Sequence, residues 1–364
     1  MEKDLSSDTI RTCAFNKEKH FEQVLELYKK VFGVDAAKAY ARRWSWVQEE
    51  NPASENPACW VLVSKDIVFG FLGTVPQRLE CQGKTLLVHS SADFFVDPTA
   101  RFHGLKLMRE FRKHCAHSVS LEDVEDTIGI LKWQGCTVIG EMQRYVKILD
   151  LRLAARYCSV LASIPQWAVM PINKMLNLVD VAMGMKYPRV VSLSAFDGRF
   201  DRFAHVMTDS APIFVKHDSA YLNWRYGNGS PHANPVIGGV LDAQGELMGF
   251  VVGGVACDTE RSGVIFELEY KNGDGQIAEA LLRFAARRLR DRGAWKIRYH
   301  RLVNRMSISH ESLTRYGFSV RPGKYQLLVG MGENDNDERI KDINNWRYSF
   351  GDGEPSHSFI MNRY

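Results

Sequence analysis

The order of elements in this chain is written twice, and that repetition limits the fold more than any single motif does. In the first half, Ile10 to Phe15 alternates like an edge strand. Two amphipathic helices follow, His20 to Phe32 and Asp35 to Glu49. The apolar runs Cys59–Ser64, Ile67–Val75 and Leu79–Val88, broken at Lys65-Asp66 and Gln82-Gly83-Lys84, predict a meander of antiparallel hairpins. A strand over Ser91–Val96 then breaks at Asp97-Pro98 into helix Leu105–Ala116. After it come a weaker helix, Glu122–Lys132, and strands Cys136–Ile139 and Tyr145–Leu149.

From Ile213 the scheme returns. Helix Ser219–Tyr226 precedes strands Pro235–Leu241, Leu247–Val255 and Gly263–Tyr270. The loop KNGDGQ leads to helix Ile277–Arg290 and strand Ala294–His300. Helix Met306–Arg315 and strands Gly317–Val320 and Tyr325–Val329 finish it. Between the halves, Arg152 to Tyr187 is apolar and Met-rich, with prolines as breakers. It reads as a packing linker. A membrane-surface helix is the weaker alternative, because the stretch lacks a strongly basic face. The expected division is residues 1–150, a helical linker 151–190, and 191–364. At 364 residues two domains of ordinary size fit.

Composition removes several classes of function. Hydrophobic residues make up 45% and charged residues 25%, an ordinary globular balance. No run reaches the roughly 18 apolar residues of a spanning helix, and the start has neither a basic nor an apolar leader segment. Seven cysteines without a CxxC pair point to thiols in a reducing compartment, so a cytoplasmic protein without membrane insertion is expected. A net charge of +4 is too small to imply nucleic acid. Nine Lys or Arg lie between Arg283 and Arg305 against Asp291 alone, and a solvated helix face accounts for them best. His114 and His117 have no carboxylate at ligand spacing, so no metal is expected. P-loop, Rossmann and nucleophile-elbow signatures are missing from the sequence.

The residues with chemistry gather after the fourth strand. Thr99-Ala100-Arg101-Phe102-His103-Gly104-Leu105-Lys106 joins a strand to a helix, where free N–H groups and positive side chains suit a pyrophosphate. An ordinary strand-to-helix turn explains the spacing equally well.

The segment DFFVDPTARFHGLKLMREF, Asp93 to Phe111, resembles the acetyl-CoA-binding motif of the GNAT acyltransferases. Val96, Pro98, Arg101 and Gly104 match that motif, while Lys106 replaces its second small residue. The second half is similar to another such unit, through GVIFELEY, the Ile277 helix, and the run with Asn304, Leu313, Gly317 and Phe318. RRWSWVQEENPA, YLNWRY and NWRYSFGDGE are similar to tandem members often found with bacterial polysaccharide genes.

The resemblance implies an α/β (α+β) protein of two tandem GNAT-like domains, each a mixed, mostly antiparallel sheet flanked by helices. It implies transfer of an acetyl or other acyl group from acetyl-CoA, or another acyl-CoA, to a small amine such as an amino sugar or amino acid derivative. Transfer would be by direct attack, in a monomer or homodimer. On that reading Phe95, Val96, Arg101, Phe102, His103, Gly104, Leu105 and Lys106 hold the cofactor. Asp93, His89 or Glu267 takes the acceptor proton, His89 alternating to the face of Ser91 and Asp93. Arg43, Trp46 and Arg225 edge the acceptor pocket. The family's usual tyrosine is replaced by Leu131 and Leu313. The first half has the better loop, since Asp274 opposes a phosphate in the second. A non-catalytic binding or scaffold protein and an aminoacyl-tRNA-dependent transferase remain as alternatives.

Overall fold

The computed structural model describes residues 10–54, 58–155, 165–184, 186–231, 234–256, 261–332 and 338–360. Residues 156–164 of the linker lie outside them, as do Cys158 and Cys257; Cys13, Cys59, Cys81, Cys115 and Cys136 are free.

In chain order the first half holds β1 (Arg11–Ala14), α1 (Lys17–Phe32), α2 (Val34–Gln48), β2 (Trp60–Ser64), β3 (Ile67–Cys81), β4 (Lys84–Val96), α3 (Gly104–His114), β5 (Ser118–Glu122), α4 (Glu125–Trp133) and β6 (Thr137–Ile148). A short helix α5 (Leu151–Ala154) and a long one, α6 (Gln166–Gly184), connect the halves. The second half holds β7 (Val190–Ser192), α7 (Gly198–Ser210), β8 (Ile213–Val215), α8 (Ser219–Tyr226), β9 (Val236–Leu241), β10 (Leu247–Val255), β11 (Gly263–Tyr270), α9 (Gly275–Asp291), β12 (Lys296–Leu302), α10 (His310–Arg315) and β13 (Ser319–Gly330). A C-terminal segment adds β14 (Trp346–Arg347) and α11 (Pro355–Ile360).

One sheet runs through both halves in the order β1-β2-β3-β4-β5-β13-β6-β12-β11-β10-β9-β7. The order is a palindrome. Each end is a run of antiparallel strands closing on one parallel pair, β4 with β5 and β11 with β12. At the centre each half gives its last strand away. β13 pairs β5 of the first half, β6 pairs β12 of the second, and the two pair each other. The helices confirm the symmetry: Trp46 of α2 and Trp224 of α8 stack at 4.8 Å. Each indole N–H donates to the other residue's carbonyl, at 3.0 and 2.8 Å. The central core is built from both halves around these rings, with Leu121, Met142, Phe250 and Leu327.

Several elements differ from the sequence expectation for identifiable reasons. β3 continues unbroken through Pro76, whose carbonyl accepts from Asn51. The hairpin turns at Gln82-Gly83, both at positive φ. Pairing with β6 likewise carries β13 through Pro322-Gly323, with a register shift there. Helix α10 starts at His310, later than expected. The Asn304 side chain takes the N–H groups of Met306 and Ser307, and local side-chain bonding of this kind competes with helix. The strand β5 and helix α7 were not expected. β5 is serine-rich, and Ser118 to Leu121 are fully buried between β4 and β13, so sequence polarity conceals it.

Candidate active site

Parallel β4 and β5 share one bridge, His89 with Ser118, and the His89 N–H donates to the His117 carbonyl at 3.0 Å. Beyond it the strands part. β5 continues along β13, while β4 stays with β3 across a bulge between the pairs Phe71–Phe95 and Gly73–Ala92. The extra residue lies at Asp93-Phe94, and Asp93 sits at φ 52°. A bulge bends its strand and re-aims a side chain. Asp93 therefore leaves the alternation expected to align it with His89 and Ser91. It forms a close ion pair with Arg43 of α2. Arg43 also reaches Glu354, at 3.6 Å. Its guanidinium, expected to meet an acceptor, is thus engaged by two carboxylates of the chain.

The end of β5 supplies a group that sequence reading missed. Burial pushes the Glu122 carboxyl up to about 8, and the nearby Glu354 and Asp123 add to the shift. Sequence placed Glu122 at a helix start; as the last residue of a buried strand it takes its character from residues distant in the chain. His89 is buried, with Nδ1 lacking a hydrogen-bond partner, and burial followed by His117 pulls it down to about 4. It is neutral at physiological pH and a weak base. Two tyrosines stand where sequence supplied none. Burial raises Tyr325, on β13 beside the residue paired with Glu122, to about 12. Tyr348 has a buried hydroxyl with no hydrogen-bond partner, and its pKa is raised by burial first and further by Asp352, Glu267 and Glu122.

The turn after β4 is a 3-10 helix, Pro98–His103, running into α3. Part of its donor set is used internally. The Asp97 carboxylate accepts from the Thr99 N–H at 3.0 Å and its hydroxyl at 2.8 Å, and pairs with Lys30 at 2.5 Å. The Gly104 N–H donates to the Arg101 carbonyl. Gly104 faces inward: a Cβ there would meet Phe94 at 3.1 Å and Val96 at 3.3 Å, so the glycine serves helix-on-strand packing. Lys106 donates to the Ile10 carbonyl at 2.8 Å. Phe95 is buried against Tyr28, Tyr40 and Phe71. Arg101, Phe102 and Leu105 are exposed, Phe102 by 83%, and His103 partly so. The Arg101 guanidinium lies 4.8 Å over the Phe102 ring.

The second half repeats the parting strands and fills the space. β11 and β12 pair from Gly263–Ile297 to Ile265–Tyr299 and then separate, again beside a bulge. Residues 347–352 of the chain itself enter. Arg347 pairs with Glu269 at 3.0 Å, and Phe350 stacks on His300 at 4.0 Å. Gly351 lies so close to Glu267 and Tyr226 that a Cβ would come within 2.1 Å of an oxygen of each. Asp352 accepts from Tyr221 at 3.1 Å and meets His217 Nε2 at 2.8 Å. The space left, lined by Glu269, Tyr299, Met306 and Ser349 among others, is about 30 Å³, room for a water or two.

Glu267, expected as a base, is therefore sealed: fully buried, accepting from the Tyr226 hydroxyl, with Oε2 making no hydrogen bond but 3.7 Å from His217 Nε2. Burial drives its carboxyl up to about 8 although His217 pulls the other way. Burial opposes charge on His217, but Asp352 and Glu267 outweigh it and raise the imidazole to about 10. His217, Glu267 and Asp352 bring potential ligand atoms within 4.8 Å of one another, and the proton on His217 supplies positive charge there. Trp46 and Arg225, expected at a pocket edge, are buried. Arg225 donates to the Gly351 carbonyl and to Ser356 Oγ, and lies 2.6 Å from His357 Nε2. It clamps the C-terminal segment.

Neither a protein-family model nor a curated protein sequence matches the chain. Solved structures do. A probable N-acyltransferase from Enterococcus faecalis superposes with TM-score 0.56 at 11% identity, covering 88% of this chain and 72% of the other. Saccharomyces cerevisiae N-myristoyltransferase, solved with myristoyl-CoA and inhibitors, gives 0.56 at 11%, covering 96% and 88%. A GCN5-related N-acetyltransferase from Kribbella flavida gives 0.53 at 14%, covering 88% and 70%. At these identities the likeness is one of fold. The chain has the mixed, mostly antiparallel sheet flanked by helices of GNAT-like acyltransferases, as the sequence resemblance implied.

Proposed function

We propose that this protein transfers an acyl group from an acyl-CoA to an amine, at the parting of β4 and β5 in its first half. The observation that carries this is the asymmetry between the two gaps. The second is filled by the chain's own residues 347–352, whereas the first ends on Glu122, whose carboxyl is raised by burial to about 8. A base poised near working pH is what removal of a proton from an ammonium needs. The likeness to a fold solved with myristoyl-CoA supports the donor class.

The residues suit such a donor at the turn after β4. Arg101 offers positive charge to phosphates and His103 a ring N–H, and exposed Phe102 and Leu105 offer apolar surface. When bound, the thioester supplies the activated acyl carbonyl. The chain supplies the proton acceptor and the charge. Glu122 takes the proton of the acceptor ammonium, in preference to Asp93, which is committed to Arg43, and to His89, too weak a base. The freed amine forms the C–N bond as the thioester C–S bond breaks, and CoA leaves as its thiolate, which is protonated to the thiol. Asp123 and Glu354 beside it favour a cationic acceptor such as a small amine. The second half is a non-catalytic partner that lends β13, with Tyr325, to the working site.

Thiol release from acyl-CoA donors of several chain lengths, measured against a panel of amines, tests the proposal. Turnover that falls about 10²- to 10³-fold in Glu122→Gln is expected. Failure of every donor to bind by calorimetry would sink it.

A further inference from the structure

Helix α6 packs the wrong way round for a helix in water. Its inner side carries buried Val169 and Asn173. Asn173 anchors it, donating to Asp150 Oδ1 at 2.7 Å and accepting from the Leu151 N–H at 2.9 Å. Outward, Trp167, Met170, Met175 and Leu178 are 80%, 65%, 60% and 62% exposed. At 100° per residue Trp167, Met170, Lys174 and Leu178 fall on one stripe, with Met175 beside it. A soluble helix turns such a stripe to the core, and a contiguous exposed apolar surface marks a place that is covered in use.

We propose that this stripe seats the protein on an anionic lipid surface, with α6 lying in the headgroup plane. The helix has 19 residues with Pro171 inside it, and no helix among the described residues is long and apolar enough to cross a membrane. It lies on a bilayer and does not span one. Trp167 at its start is the side chain best suited to a lipid–water interface. Lys174, within the stripe, can bury its stem and keep its ammonium among headgroups.

Charge chooses the occupant. Residues 151–189 carry Arg152, Arg156, Lys174, Lys186 and Arg189 against Asp180 alone. Among these Lys174, Lys186 and Arg189 are exposed, while Arg152 is paired with Asp150 at 3.2 Å. Anionic lipid complements that surplus. A second copy meeting this one face to face would oppose Lys174 and its basic neighbours with their own like charges. The basic surplus that the helix face lacks in sequence is supplied by the segments flanking it.

Sedimentation of the full-length protein with vesicles of phosphatidylglycerol and phosphatidylcholine, and with phosphatidylcholine alone, tests this. Most of the protein should pellet with the anionic vesicles, about tenfold less with neutral ones, and less as salt rises. The double variant Trp167→Glu/Leu178→Glu should weaken pelleting about tenfold with an unchanged melting curve, since both sites are exposed. Trp167→Phe should keep pelleting but lose most of the quenching of tryptophan fluorescence by brominated lipid. Three results overturn the proposal: no pelleting with either vesicle, pelleting indifferent to the double variant, or a dimer in light scattering that the double variant dissolves.

Discussion

The two halves start from the same plan and end as opposites. Each has a parallel pair of strands that parts beside a bulge, and each brings a carboxyl raised to about 8 to that point, Glu122 in the first and Glu267 in the second. In the second half the opening is filled by Phe350, Gly351 and Asp352, and the charges are paired off: His217 with Asp352, Arg347 with Glu269. In the first half the same segment packs along the site, with Gly353 against Leu121, the Asp352 carbonyl accepting from Gln77, and Glu354 near Arg43. The two halves thus treat their carboxyls differently. The second half buries its charges to hold the chain end, and the first carries a raised carboxyl, Glu122, with no ion pair among the described residues.

The comparison can be broken most sharply by exchanging charge for amide at the paired carboxyls. Glu122→Gln should lower kcat about 10²- to 10³-fold and abolish the rise of rate with pH near 8, with little change in melting temperature. Glu267→Gln should do the reverse, changing stability and sparing kcat. Equal loss of rate in both would contradict the division of labour.

Gly351→Ala comes next: with a Cβ 2.1 Å from Glu267 and Tyr226 oxygens, it should destabilise by about 3 kcal/mol in denaturant titration. Trp46→Phe, which removes the donor to the Trp224 carbonyl, should cost about 1–2 kcal/mol. Adding Trp224→Phe should give a non-additive sum, because the rings form one stacked pair.

A smaller effect concerns pH. His217 is raised from 6.5 to about 10, so its share of stability is complete below about pH 6.5 and is lost as pH rises towards 10. Melting temperature should fall across that window, and His217→Gln should flatten the fall. Smallest of all, Arg101→Ala should raise the KM for acyl-CoA a few-fold, about what one exposed charge contributes.

Much of this was legible in the chain. The meander turns at Lys65-Asp66 and Gln82-Gly83 follow from residues that tolerate positive φ, and both are observed. The segments RRWSWVQEENPA and YLNWRY stood out in the sequence, and their Trp46 and Trp224 stack between the halves. The site was legible only in part. Asp93 was expected as a base, but its partner Arg43 comes from a helix 50 residues earlier, and the bulge that turns it there cannot be read from alternation. Glu122 escaped because its strand is short and polar, and its shifted proton affinity comes from burial and from Glu354, 232 positions away.

By itself the sequence determined most of the helices and strands and the tight turns between them, since these depend on periodicity and on backbone preferences within a few residues. Tertiary structure alone decided which strands were exchanged, which gap was filled, and which carboxyl was left to titrate. Those outcomes depend on desolvation and charge pairing between segments hundreds of residues apart, and neither leaves a local trace in the chain.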